Sequence, residues 1–162
     1  MRMSEGVEWA THTCVLLDWL GRSEPVPTAR LAAAYDLPPP YLNKQLQALV
    51  RAGILTSARG KGGGFRLARS LHDITLFDVV QAIEGPDPAF RCREIRRCGM
   101  GAGSPPTGFR SPCAIAAAMH EAEESWRQAL RARTLASVRD DAERQQPALV
   151  DAARRWYAST DT

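Results

Sequence analysis

Between residues 54–58 and 65–68, two β-compatible runs, the chain reads Arg59-Gly60-Lys61-Gly62-Gly63-Gly64. Glycine lets the backbone reverse sharply and come close to a phosphate, so this segment predicts a hairpin wing of two short strands. Arg59, Lys61 and Arg66 supply positive charge for the phosphate backbone or a narrow minor groove. A nucleotide phosphate loop is the rival reading. It is weak because the Lys-Ser/Thr ending is absent and no parallel-sheet pattern surrounds the glycines.

The residues before the wing read as helices. Ala10, Cys14, Leu17 and Leu20 recur at helical spacing over residues 5–20, and Gly21 offers a stop. Thr28 is expected to cap a short helix through residue 34. After Pro38 and Pro39, Pro40 can occupy the first turn of the next helix, where its missing N–H would have no partner. That helix, 40–52, buries Leu42, Leu46, Leu49 and Val50 and leaves Asn43, Lys44, Gln47 and Arg51 outward. Two short helices of this kind match the reading unit of a helix-turn-helix. Tyr41, Asn43, Lys44 and Gln47 are then placed at the major groove, where amides pair with adenine edges and Lys with guanine; Thr28 joins them as a candidate DNA contact.

Beyond the wing, Thr75 is expected to cap a helix with Leu76, Val79, Val80 and Ile83 on its core face and Gly85 at its end. Cys92, Cys98 and Cys113 then lie in a cationic stretch rich in Gly and Pro, which has too little regular structure to bury them as core residues. Thiolates gathered beside arginines are good ligands for zinc or for iron-sulfur iron. Cys14 differs, because it falls on the apolar side of its helix and reads as a buried free thiol. His72 and His120 have no partner at a compelling spacing, so surface or packing roles suffice for them.

From Cys113 onward Ile115, Met119, Ala122, Trp126 and Leu130 form a stripe at three/four spacing. Such a stripe must be covered, and the economical cover is the same helix of a second copy, giving a two-fold dimer suited to palindromic DNA. Residues 135–138 can pack back, and a final helix runs from 147 to about 156. The expected fold is therefore mainly α with a small β-wing. It comprises a winged helix-turn-helix DNA-binding domain (1–85), a cysteine-containing cluster-binding loop (86–112), and a long dimerisation helix with a C-terminal helix (113–162).

Composition agrees with one domain and a dimerisation extension in 162 residues. No apolar run approaches the ~20 residues of a membrane span, and acids near the N-terminus argue against a signal peptide, so a cytoplasmic protein is expected. Four cysteines in such a chain favour metal or redox chemistry over a disulfide framework. Residues 1–70 carry nine Lys/Arg against five Asp/Glu, while the remainder carries twelve against thirteen, so the net +3 is all N-terminal. A basic first half suits a polyanionic partner. No nucleophile-base pairing or substrate motif is present, which argues against an enzyme.

The order of helix, short helix, Pro-Tyr-Leu recognition helix with "LVRAGIL", wing "SARGKGGGFRLAR", then "ITLFDVVQAIEG", Cys-x5-Cys and a third Cys resembles the bacterial iron-sulfur transcription regulators of the IscR/NsrR/RsrR type. The resemblance spans residues 5 to about 138. It implies a winged-helix homodimer whose promoter affinity depends on an iron-sulfur cluster, with Cys92, Cys98 and Cys113 where that family places ligands. The gap of fourteen residues between Cys98 and Cys113 is longer than the family pattern, which leaves the ligand pairing open.

Glu8 and His12 are four apart and share a helical face, which alone reads as solvated surface. The resemblance, and the RsrR-like regulators in particular, instead imply that this helix of the partner subunit offers Glu and His to the cluster. Two cysteines with Glu8 and His12 suit a 2Fe-2S centre, and three cysteines with Glu8 suit 4Fe-4S; the first is favoured, because imidazole in place of thiolate eases one-electron reduction. Trp9 is a packing residue or, functionally, a lever that reports cluster state. The alternatives are a nitric-oxide-sensing 4Fe-4S repressor, a zinc or thiol-switch winged-helix regulator, and an iron-sulfur carrier.

Overall fold

The computed structural model describes residues 3–60, 62–103, 109 and 111–159, so the wing candidate Lys61 lies outside the described residues. The chain divides into two compact units, one formed by residues up to 85 together with those from 130 onward, the other by 86–129. The segment expected as 113–162 is thus shared between them. Secondary structure runs α1 (Glu5–Leu20), α2 (Thr28–Ala33), α3 (Pro39–Arg51), β1 (Leu55–Ala58), β2 (Gly64–Leu67), α4 (Leu76–Glu84), α5 (Ala114–Arg131), α6 (Leu135–Gln145) and α7 (Leu149–Ser159). The result is mostly helical with one two-stranded antiparallel sheet.

Helix α1 is the centre of the first unit. Thr13, Cys14, Val15, Leu16 and Leu17 are all buried, a run that covers every face of a helix and so requires neighbours on all sides. Helices α3 and α4 pack on it, and so do α6 and α7. Gly21 ends it in the left-handed region at φ 59°, its N–H bonded to the Asp18 and Leu17 carbonyls.

The helix-turn-helix forms as its residues predict, with one correction. Thr28 is the first residue of α2 rather than its cap, and makes no capping bond; Pro27 holds that position, and its carbonyl accepts the N–H groups of Arg30 and Leu31 at 3.0 and 3.1 Å. Asp36 adopts φ 52°, which closes the turn before Pro38; Asp is among the few residues that tolerate this region. Pro39 and Pro40 both fill the first turn of α3, one residue earlier than expected. Leu42, Leu46 and Leu49 are fully buried, whereas Val50 is only half-buried. Replacing Leu46 by Ala is expected to cost about 2–5 kcal/mol in urea unfolding, because its side chain is fully buried in the core and its removal leaves a cavity.

The wing pairs Leu55 with Leu67, Thr56 with Arg66, Ser57 with Phe65 and Ala58 with Gly64. Thr75 caps α4 in a reciprocal box. Its hydroxyl accepts the Asp78 N–H at 3.1 Å, while the Asp78 carboxylate accepts the Thr75 N–H at 2.8 Å. Helix α6 docks at the same point, where Leu76 N–H donates to the Arg133 carbonyl (2.9 Å) and Leu135 N–H to that of Ile74 (2.8 Å). Leu135 is fully buried there.

In the second unit, short 3-10 turns at Ile95–Arg97 and Gly99–Gly101 precede α5. The chain before them lies along that helix: the Ala89 N–H donates to Glu123 at 3.2 Å, and the Phe90 ring meets His120 edge-on at 6.4 Å. Ile115 is 68% exposed and Met119 44% exposed, so the upper part of the apolar stripe stands open on the single chain.

Candidate functional site

Two sets of side chains carry chemistry, one in each unit. In the first unit, a shallow groove of about 250 Å³ is lined by Pro27, Thr28, Asn43, Gln47, Ser57, Arg59 and the Gly63-Gly64-Phe65 turn. Asn43 and Gln47 are one turn apart on α3, Thr28 opens α2, and Arg59 lies at the wing tip, so amide, hydroxyl and guanidinium groups converge from four elements. Tyr41 and Lys44 stand exposed on α3 beside the groove. Arg66 does not face it. Its Nε donates to the Thr56 hydroxyl across the sheet at 3.0 Å, and it lines a separate cleft with Asp18, Arg22 and Val26. Ser57 was not foreseen as a groove residue, because a lone serine in a strand carries no sequence signal.

The wing is seated by its strand β2. Val26 and Phe65 exchange backbone hydrogen bonds at 2.8 and 2.9 Å, and Gly64, at φ 155°, presses against Val26 so closely that a Cβ would sit 2.1 Å from its carbonyl oxygen. The connection between α1 and α2 thus becomes a third strand-like edge of the hairpin.

In the second unit, Cys92 and Cys98 are exposed, Cys113 is half-exposed, and all three are free thiols. Cys113 immediately precedes α5. The Ala116 N–H bonds its sulfur and holds the thiol below its ordinary range; the Ile115 N–H and the Arg96 charge add to this, against partial desolvation. The Cys92 sulfur accepts the Glu94 N–H at 3.4 Å. Glu94 in turn grips Arg96 through two hydrogen bonds of 2.5 and 2.8 Å, and Arg96 donates to the Ser111 carbonyl at 3.1 Å. The Arg96 cation interacts electrostatically with both Cys113 and Cys92.

Cys14 is wholly buried in α1, and desolvation pushes its thiol up to about 12. At pH 8, iodoacetamide followed by mass spectrometry is therefore expected to label the three loop cysteines and leave Cys14 untouched in the folded apoprotein.

Glu8 and His12 both point outward from α1 in the first unit. The His12 ring lies 5.4 Å from that of Tyr35, whose hydroxyl donates to the His12 carbonyl at 3.3 Å. Trp9 is half-buried against the core. Among the described residues, no three His, Cys, Asp or Glu side chains are grouped to hold a metal ion. The donor chemistry of the loop fits a soft-metal group nonetheless: free accessible thiols, one of them set at a helix N-terminus and beside a guanidinium.

Residues 3–141 match the profile of the Rrf2 family, described as iron-dependent transcriptional regulators. The chain belongs to the Rrf2 family. Its relative YffB of Lactococcus lactis, named as an HTH-type transcriptional regulator, is 34% identical over 141 residues, covering 87% of this chain and 88% of its own. Among solved structures, T. potens IscR superposes with a TM-score of 0.62 at 22% identity, covering 90% of this chain and 91% of that one. CymR, the global cysteine regulator of B. subtilis, gives 0.63 at 19% identity, covering 86% and 97%. These two likenesses concern the fold, which is the Rrf2 winged helix. As an Rrf2 protein the chain is a DNA-binding transcriptional regulator and not an enzyme. No helix among the described residues is long and apolar enough to cross a membrane.

Proposed function

We propose that this Rrf2 regulator binds a palindromic operator as a homodimer and that its occupancy of DNA is governed by an iron-sulfur cluster, with 2Fe-2S favoured over 4Fe-4S. The observation that carries the reading is Cys113 at the start of α5, where backbone N–H groups and Arg96 favour the thiolate that iron requires. For 2Fe-2S, Cys113 and one of Cys92 and Cys98 supply the sulfur ligands, and Glu8 with His12 complete the set of four from α1 of the second subunit; all three cysteines with Glu8 would serve 4Fe-4S. When bound, such a cluster supplies a one-electron redox centre.

The remaining parts belong to the protein. The open stripe through Ile115 and Met119 is the surface that a second α5 covers. Arg59, and Lys61 with it, hold phosphate or the minor groove; Tyr41, Asn43, Lys44 and Gln47 meet base edges, with Thr28 at the groove wall. Arg66, its Nε held by Thr56, offers its remaining guanidinium donors to phosphate from the wing. Trp9 packs beside Glu8 and His12 on the core side of α1, a position from which a movement of that helix reaches α3 and α4. A coupling of about 1–3 kcal/mol between the two sites changes operator occupancy about 5–150-fold. Such a protein works in the cytoplasm, where DNA and reductant are both at hand.

A zinc or thiol switch is the second reading, favoured by three accessible unpaired thiols and by the fold shared with CymR. One experiment separates the two. Protein purified without oxygen is assayed for iron, acid-labile sulfide, zinc and visible absorption, before and after one-electron reduction. Equal iron and sulfide with reversible bleaching support the cluster. Colourless protein after attempted reconstitution, with zinc or with a disulfide formed on oxidation, overturns it in favour of the second reading.

A further inference from the structure

The C-terminal helix meets the segment that leads into α2 through Tyr157. Tyr157 of α7 is 6% exposed, and the Arg30 guanidinium of α2 stacks 3.4 Å from its ring centroid. The same guanidinium donates to the Tyr157 carbonyl. Arg22 approaches the ring at 5.1 Å. Arg22 and Arg30 flank the connection between α1 and α2, and Val26, midway between them, is the residue that pairs with Phe65 of the wing. Pro27, Thr28, Gly64 and Phe65 then form one wall of the groove that contains Asn43, Gln47 and Arg59.

The other end of this brace is equally defined. Arg154 donates from Nε to the Trp19 carbonyl at 2.8 Å, and the Trp19 indole N–H donates to Glu143 at 2.8 Å. Arg139 reaches Asp18 at 2.7 Å. Helices α6 and α7 therefore hold the end of α1 and, through Tyr157, the segment that seats the wing.

From this geometry we infer that Tyr157 is a positioning residue for operator recognition: by stacking on Arg30 and Arg22 it fixes segment 22–30, and with it the wing, relative to α3. A guanidinium over an aromatic face contributes most where water is excluded, as it is around Tyr157. The inference rests on the groove being the DNA-contact surface, and its test reads the brace and the groove separately.

The test uses full-length protein and an operator selected from random duplexes by the wild type. Tyr157→Leu stays apolar and loses the π face along with some bulk; Arg30→Lys keeps charge and loses planar stacking; Tyr157→Phe keeps the ring and most of the bulk. For the first two, operator affinity is expected to fall about tenfold while non-specific duplex binding stays within about twofold. Amide exchange at Val26 and Phe65 is expected to rise about tenfold with α3 unchanged, and Tyr157→Phe to match the wild type on every readout. Unchanged exchange at Val26 and Phe65, or exchange accelerated equally throughout α1 and α3, overturns the proposal by leaving Tyr157 no role or only a stabilising one. If Tyr157→Leu fails to fold, Arg30→Lys decides by the same criteria. Asn43→Ala tests the groove itself: an unaltered operator affinity in that variant removes the groove reading, and exchange at Val26 and Phe65 still decides the brace.

Discussion

Cys113→Ser is expected to yield a folded protein that no longer retains iron and sulfide, with iron affinity lowered on the order of 100-fold or more, since losing even an outer partner of a ligand costs 10–100-fold. The argument is local. Cys113 lies at the N-terminus of α5, where the Ala116 and Ile115 N–H groups and Arg96 stabilise a negative sulfur. Serine preserves the shape and the hydrogen bonds but stays protonated, and a neutral hydroxyl is a poor ligand for iron that prefers thiolate. Because Cys113 lies outside the buried core, the far-ultraviolet circular dichroism and the unfolding midpoint of the apoprotein are expected to match the wild type. Iron and sulfide assays after anaerobic reconstitution check this. Retention of full wild-type cluster content by Cys113→Ser would remove Cys113 from the ligand set and, with it, the main support for the cluster reading.

Gly64→Ala carries the largest expected structural effect outside the core. At φ 155° the residue sits in a region that side chains avoid, and its Cβ would lie 2.1 Å from the Val26 oxygen and 2.7 Å from the Pro27 nitrogen. Those are backbone atoms and cannot rotate away. Relief requires β2 to move off the connection between α1 and α2, which breaks the two hydrogen bonds between Val26 and Phe65. Strain of about 1–3 kcal/mol, with about 1 kcal/mol for each of the two lost bonds, gives a loss of about 3–5 kcal/mol. In a chain of this size that lowers Tm by about 10 °C. Gly62→Ala is the comparator: its φ is 83° but nothing lies within 4 Å, so only the strain of about 1–2 kcal/mol applies. Calorimetry of the two variants measures the difference, and a Gly64→Ala midpoint within about 2 °C of Gly62→Ala would show that the contact with Val26 is unimportant. Operator binding by Gly64→Ala should fail before unfolding does, since the wing is displaced first.

Helix boundaries were readable where one chemical signal dominates. The apolar spacing in 5–20 and 42–49, the Thr75 cap and the glycine-rich wing each act over a few residues, and the structure places α1, α3, α4 and the hairpin accordingly. Cys14 was legible as a buried thiol for the same reason. Thr28 was misread as a cap because the choice between Thr28 and Pro27 depends on Phe65, which holds Val26 in an extended conformation and starts the helix one residue earlier. The direction of the Arg66 side chain was not legible either, since it depends on Thr56 across the sheet.

Residue type and local period determined by themselves the helix that carries Asn43 and Gln47, the glycine-rich cationic wing, the open apolar stripe on α5, and three thiols held outside the core. Only the tertiary structure decided that residues 135–159 return to enclose α1, that Tyr157 bears on Arg30 from 127 positions away, and that Thr28, Ser57 and Arg59 share one groove with α3. The physical reason is range: periodicity, caps and turns arise from energies between near neighbours, whereas these contacts exist only after chain segments far apart in sequence have been brought together and water excluded between them.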